Sequence, residues 1–146
     1  DIGDEEDIHP KNKYDVGERL ALWALAHDYG KEISFSGPLY KTITLEEDRI
    51  RVNFNYSEDG LMIGRKEGKK EVEEDKIGKL QGFVIAGEDK VWYWADAKIE
   101  GNSVIVSSPF VNKPIAVRYA FSMNPRGANL YNRSGLPASP FRSDCW

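Results

Sequence analysis

The sequence predicts a mainly β protein, an antiparallel, jelly-roll-like β-sandwich preceded by one helix. Three observations carry that prediction. The hydrophobic period is 3.6 up to about residue 30 and 2 from residue 31 onward. Turn-rich breaks at Ser57-Glu58-Asp59-Gly60, Gly87-Glu88-Asp89 and Glu100-Gly101-Asn102 separate the period-2 runs at short intervals. The spaces between those breaks are too short for crossover helices, so the strands must be antiparallel.

The helix is predicted over residues 10–29. Val16, Leu20, Trp23, Ala24 and His27 fall on one stripe of a 3.6-residue period. Pro10 suits the first helical position, where a missing N–H costs nothing, and Gly30 suits the C-terminal cap. Within the stripe, His27 is expected to pack at an interface and hydrogen-bond a neighbour. In the β part, Ile50, Val52, Phe54 and Tyr56 alternate with polar residues, and Ile115, Val117, Tyr119 and Phe121 do so again, as strands with one buried face require. The charged run over residues 64–79 reads as a solvated hairpin tip or loop. From Asn124 to Trp146 periodicity fades among Pro125, Pro137 and Pro140, which predicts an extended tail laid over other surface.

Composition narrows the function classes. With 40% hydrophobic and 12% aromatic residues, 146 residues can bury one core. A formal net charge of -4 provides no broad basic surface, which argues against nucleic acid as a partner. No apolar stretch approaches the roughly 20 residues that span a bilayer as a helix, so no membrane partner is expected. The single cysteine, Cys145, allows no internal disulfide, and two histidines 18 positions apart match no metal-ligand spacing, so neither a metal nor another cofactor is expected. The sequon Asn132-Arg133-Ser134 is too short a match to carry weight.

One difficulty remains inside this organisation. An amphipathic helix needs something to cover its stripe, and residues 1–9 are too few and too polar to do it. The helix reads as the last element of a domain whose earlier part lies elsewhere.

The segments DIGDEEDIHPKNKYDVGERLALWAL, SGPLYK (36–41), FVIAGEDKVWYWADAKIEGNSVIVSS, PIAVRYAF and NLYNRSGLPASPFRSD follow one another along the chain. Together they resemble the C-terminal part of bacterial sialate O-acetylesterases, the sialic acid-specific 9-O-acetylesterase family, which is similar to SGNH hydrolases. The resemblance implies that residues 1–30 are the C-terminal end of a flavodoxin-like α/β hydrolase domain, with its histidine loop and last helix. Residues 31–146 are then a β-sandwich domain with an extended tail. It implies that His9 is the catalytic histidine, that the serine nucleophile lies upstream of Asp1, and that an N-terminal catalytic domain packs on helix 10–29. The expected substrate is an acetylated carbohydrate, by this resemblance the 9-O-acetyl ester of a sialic acid, and the expected location is periplasmic or secreted. Taken alone, these residues are expected to be inactive.

The chemistry of the Asp7-Ile8-His9-Pro10 stretch agrees with such a role. An ester-cleaving serine needs a base that titrates near neutrality, takes its proton and returns it to the leaving alcohol, and histidine suits that task. The orienting acid is left open among Asp7, Glu6 and Asp4, with Asp7 preferred. SGNH hydrolases usually carry an aspartate three residues before the histidine, and here that position is Glu6. A serine-histidine dyad oriented by backbone carbonyls is a further alternative.

A second constellation lies in residues 90–99, where Val91, Tyr93, Ala95, Ala97 and Ile99 form an apolar face and Trp92 and Trp94 project from the opposite one. Two indoles on a polar face are candidates for stacking on sugar rings or, the preferred reading, for cover by the catalytic domain; Arg118, with Arg142, is a candidate for a bidentate contact to a sialic-acid carboxylate, although structural salt bridges are the commoner use of arginine. Three functions therefore stand side by side: an O-acetylesterase using His9 and Asp7 with Trp92, Trp94 and Arg118 at the substrate, a carbohydrate-binding module without catalysis, and a structural accessory domain.

Overall fold

The computed structural model describes residues 1–146. One helix, α1 (Lys13–His27), precedes eleven strands: β1 (Leu39–Glu46), β2 (Arg49–Asn55), β3 (Leu61–Arg65), β4 (Glu73–Glu74), β5 (Phe83–Ala86), β6 (Trp92–Trp94), β7 (Asp96–Glu100), β8 (Ser103–Ser107), β9 (Ala116–Tyr119), β10 (Leu130–Asn132) and β11 (Phe141–Arg142). All strand pairs are antiparallel. They form two four-stranded sheets, β1-β2-β8-β7 and β11-β9-β5-β6, and a three-stranded sheet, β10-β3-β4. The protein is mainly β and sandwich-like after one helix, as its two hydrophobic periods predict.

The core lies between the two larger sheets. Ile50, Val52 and Phe54 of β2 and Val104 and Val106 of β8 meet Phe83 and Ile85 of β5, Val117 and Tyr119 of β9 and Phe141 of β11. Period-2 alternation in β2 buries its even positions as predicted. The three predicted breaks are turns; Gly60 N donates to Ser57 O at 2.9 Å, and Lys90 N to Gly87 O at 3.0 Å. Within residues 90–99 the chain changes sheets. Strands β6 and β7 belong to different sheets, and Ala95 between them is the corner. Tyr93, Ala95, Ala97 and Ile99 still pack on the core, whereas Val91 is exposed.

Four expectations need correction. Pro10 is not in the helix; Asn12 is the N-cap, its Oδ1 accepting from Asp15 N at 3.1 Å, because an amide side chain satisfies a helix-end donor that proline cannot. Phe121 does not continue the buried face of β9. Ala120 adopts φ +49°, the chain turns, and Phe121 lies against the guanidinium groups of Arg118 and Arg142. The C-terminal stretch is not a surface tail, since Leu130, Tyr131 and Asn132 are buried and β10 and β11 are paired strands. His27 stacks on Trp23, with ring centroids 5.4 Å apart, and meets the edge of Phe35. Its contacts are aromatic rather than a side-chain hydrogen bond.

Two of the segments that carry the family resemblance meet in space. Ser36-Gly37-Pro38 lies against the 130–139 stretch: Asn132 Nδ2 donates to Ser36 O at 2.9 Å and Ser139 N to Pro38 O at 3.1 Å. A Cβ on Gly37 would stand 1.9 Å from Pro137 O, so only glycine permits this approach. Asn132 of the sequon is a buried structural amide that also accepts from Leu136 N.

The helix does not dock through its apolar stripe. Leu20 is 67% exposed and Trp23 41%, while the buried positions on its sandwich side are Asn12 and Asp15. Lys66, from the charged run, reaches in so that its Nζ sits 2.6 Å from Asp15 Oδ2, both side chains being 7% exposed. Asn12 Nδ2 donates to Gly68 O at 3.0 Å, which ties the same run to the helix start. Arg19 holds the Asp1 carboxylate in a fork at 2.9 and 2.7 Å, and Tyr131 Oη donates to that carboxylate at 3.1 Å. Only at its C-terminal end does α1 make an aromatic contact, with Trp23 and His27 against Phe35, which packs on Tyr56.

Burial pushes the Asp15 carboxyl up, but the Lys66 ammonium, the Asn12 amide and Arg19 outweigh it and hold Asp15 below the usual carboxylate range. A lowered native value means that this stabilisation is complete above the ordinary value of 3.8 and lost as pH falls below it. Asp15→Asn is expected to cost about 2–3 kcal/mol, less than a fully enclosed pair, because a cavity of about 440 Å³ opens beside it. Urea unfolding at neutral and acid pH checks both points. The variant should lose stability less steeply than the native chain as pH drops, and equal acid limbs would remove the pair from this role.

Candidate functional site

Residues 1–9 form no regular element, and the segment is fastened by side chains. Besides the Asp1 fork, the Glu5 carboxylate accepts from Asn124 Nδ2 at 2.8 Å and pairs with Arg126, both from the loop after β9. The turn that follows closes on itself. Asp7 Oδ1 accepts from His9 N at 2.8 Å, and His9 Nδ1 lies 2.9 Å from the same oxygen.

That arrangement fixes the chemistry of the ring. An ionised carboxylate only accepts, so Nδ1 carries the proton and Nε2, on the opposite edge, is left as the basic nitrogen. The two hydrogen bonds from His9, backbone first and ring second, hold the Asp7 carboxyl below the usual carboxylate range and keep it ionised. The His9 side chain is 75% exposed, so the ring is not walled into the fold. Of the three acids named above, Asp7 is the one in contact with it. Asp4 accepts from Glu6 N at 3.1 Å and faces Lys11 at 3.6 Å.

The second constellation is divided by the structure. Trp92, Trp94 and Arg118 share one sheet, with Trp94 and Arg118 both in register with Val84 of β5. The Arg118 guanidinium lies over the Trp92 ring, 4.0 Å from its centroid, and Trp146 stacks on the same indole at 6.3 Å. Arg118 does meet a carboxylate in a fork, at 2.8 and 2.7 Å, but it belongs to Asp144 of its own chain, which Arg142 also reaches at 2.9 Å. That carboxyl, fully enclosed, is held below its usual range chiefly by the Arg118 hydrogen bonds, against burial. Trp92 and Arg118 are thus committed within the chain, whereas Trp94 is 77% exposed. Arg126, the partner of Glu5, lines the cleft beside Trp94, a link that no sequence spacing announced. No group of three or more histidine, cysteine or acidic side chains is arranged to hold a metal ion.

No family model matches the chain. Among curated proteins, the sialate O-acetylesterase of Rattus norvegicus is 31% identical over 144 residues, and that of Mus musculus 29% over 143. Each match takes in 92% of this chain and 24% of the relative. Among solved structures, a carbohydrate acetylesterase from Xanthomonas citri is 42% identical and superposes with a TM-score of 0.88 over 100% of this chain and 31% of its own. The chain is related to the carbohydrate and sialate O-acetylesterases. It spans about a quarter of the length of the curated acetylesterases it matches and under a third of the Xanthomonas enzyme. The relatedness takes in the whole fold, including the His9 turn, and agrees with the resemblance read from the sequence motifs.

Replacing Asp144 with asparagine tests how the acetylesterase-like sheet is closed at its edge. The fork to Arg118 is lost and two arginines are left facing a neutral amide, so Asp144→Asn is expected to cost about 1–3 kcal/mol in urea unfolding. It should also weaken the near-ultraviolet circular dichroism of the Trp92–Trp146 pair. Unchanged stability and an unchanged indole signal would mean that the tail is held by β11 alone.

Proposed function

We propose that this chain is the C-terminal region of a carbohydrate O-acetylesterase in which His9 is the catalytic histidine and Asp7 its orienting acid. The single observation that carries the reading is the Asp7–His9 pair at 2.9 Å in an open turn of a chain related to acetylesterases throughout its length. In the proposed reaction a serine from a preceding segment attacks the acetyl carbonyl while His9 Nε2 takes the proton of its hydroxyl. The imidazolium, stabilised by the ionised Asp7 carboxylate, returns that proton to the departing sugar oxygen as the tetrahedral intermediate collapses. Water then enters by the same route, and acetate leaves.

The uncovered side of α1 supports the remainder of the reading. Val16 and Leu20, neighbours on one face of α1, are each more than a third exposed, and the relatives are three to four times longer than this chain. In this proposal the preceding catalytic domain covers those side chains, which would bring its serine up to the His9 turn. The finer substrate assignment, the 9-O-acetyl group of a sialic acid, draws on the names of the rodent relatives.

The test uses the longer polypeptide that carries this chain. Hydrolysis of p-nitrophenyl acetate and of an acetylated sugar should fall about 10²–10⁴-fold in His9→Ala, with folding intact by circular dichroism. Asp7→Asn should lower kcat by less and leave KM nearly unchanged. The 146-residue chain alone should show no turnover. Full activity in His9→Ala would end this reading.

A further inference from the structure

The two indoles that share a face of β6 have opposite fates. Trp92 is capped by its own chain, whereas Trp94, on the edge strand of its sheet, has its ring in solvent. A lone exposed ring is ordinary, but this one also forms the wall of a cleft. Beside it lies a cleft of about 280 Å³, bounded by Trp94, Gln81, Asp96, Lys79 and Arg126. A second cavity, of about 750 Å³, continues from it and shares Lys79, Leu80 and Asp96. The walls are held in place. Asn129 Oδ1 accepts from Gln81 N at 2.8 Å while its Nδ2 donates to Lys79 O at 2.9 Å, and Ala95 N donates to Phe83 O at 3.2 Å just behind Trp94.

We propose that the Trp94 cleft is a saccharide-binding subsite that holds a neutral sugar ring next to the acetylated unit of the substrate. A pyranose has one face of C–H groups and a rim of hydroxyls; the indole plane matches the first, and Gln81 and Asp96 match the second. A purely apolar ligand would leave those polar side chains without partners. Charge selects a neutral ring over an anionic one: Arg126 is already paired with Glu5, and the other two charged residues that line the cleft, Lys79 and Asp96, are opposite in sign. The continuing cavity gives room for a second residue of the glycan. Arg126 also fixes the place of the subsite relative to the chemistry, because it lines the cleft and anchors the segment that ends in the His9 turn. The inference rests on the esterase reading for its substrate class, while its geometry is independent of any turnover.

The 146-residue chain is titrated with xylohexaose and, separately, with free N-acetylneuraminic acid, followed by tryptophan fluorescence and by calorimetry. Xylohexaose should bind and quench, more tightly than N-acetylneuraminic acid. Trp94→Ala should weaken it about tenfold, the loss of one aromatic stack and its contact area, and Gln81→Ala should weaken it by less. Circular dichroism confirms that each variant is folded. In the longer polypeptide, Trp94→Ala should lower kcat/KM on an acetylated xylo-oligosaccharide by more than on p-nitrophenyl acetate. Absence of xylohexaose binding, equal binding by Trp94→Ala, or preference for free N-acetylneuraminic acid would each overturn the subsite. A failed esterase reading shows elsewhere, as turnover surviving His9→Ala, so the two failures are distinguishable.

Discussion

The placement of the N-terminal segment and α1 depends on a buried charge pair. Lys66 leaves a run of residues that is otherwise almost wholly solvated, enters the groove between helix and sandwich, and stops 2.6 Å from Asp15. Neither charge would be tolerated there alone, since an unpaired buried ion costs several kcal/mol. The pair therefore acts as a register pin: the helix can sit on the sandwich only in the rotation that brings Asp15 to Lys66. That rotation sends Val16 and Leu20 outward, and it carries Arg19, one turn further, onto the Asp1 carboxylate. The His9 turn lies between Asp1 and α1, both of which are fixed, so its position follows from an electrostatic constraint rather than from apolar packing.

The corner at Ala95 has a comparable reach. A strand of ten residues would have presented both indoles to the same environment. Because the chain leaves one sheet after Trp94 and enters the other at Asp96, Trp94 stands where the two sheets part, and a cleft opens there. Trp92 stays within its sheet and is overlaid by Arg118, itself oriented by the fork to Asp144. Tyr119, behind them, has its hydroxyl pushed up to about 12, chiefly by burial, and accepts from Leu130 N, which fastens the C-terminal strands to the core.

Period-2 alternation made β2 legible up to Phe54, because Ile50, Val52 and Phe54 have no other way to be buried together, whereas Tyr56, expected on the same face, falls beyond the strand at φ +59°. The turn residues between strands were equally plain, glycine and aspartate in those breaks having little other use. The family motifs were legible as sequence, and their meeting in space, Gly37 against Pro137, explains why both contain a small residue or a proline. The rotation of α1 was not legible. Hydrophobic periodicity reports which face could be buried, and here an ion pair with a residue 51 positions away decided otherwise. Lys66 reads as one solvated cation among many, since local sequence holds no trace of its partner. The C-terminal strands were missed for a related reason: Leu130–Asn132 and Phe141–Arg142 are too short to show a period, and only pairing with β3 and β9 makes them strands. At the site, the residues of the opening turn, taken alone, read as a helix cap; it is the family resemblance that made His9 a candidate, and it left the acid open among Asp7, Glu6 and Asp4. The link from Glu5 to Arg126 was not legible, because it joins opposite ends of the chain.

That link bears on how the two candidate sites relate. The loop after β9 begins with Ala120 in a left-handed conformation, which throws residues 121–128 off the sheet and toward the N-terminal segment. Asn124 and Arg126 both spend their donors on Glu5, and Arg126 also forms part of the wall opposite Trp94. Any movement of this loop therefore displaces the base of the His9 turn and the rim of the Trp94 cleft together. A short, polar, solvent-facing connection is a weak spring, each exposed ion pair contributing no more than about 1 kcal/mol.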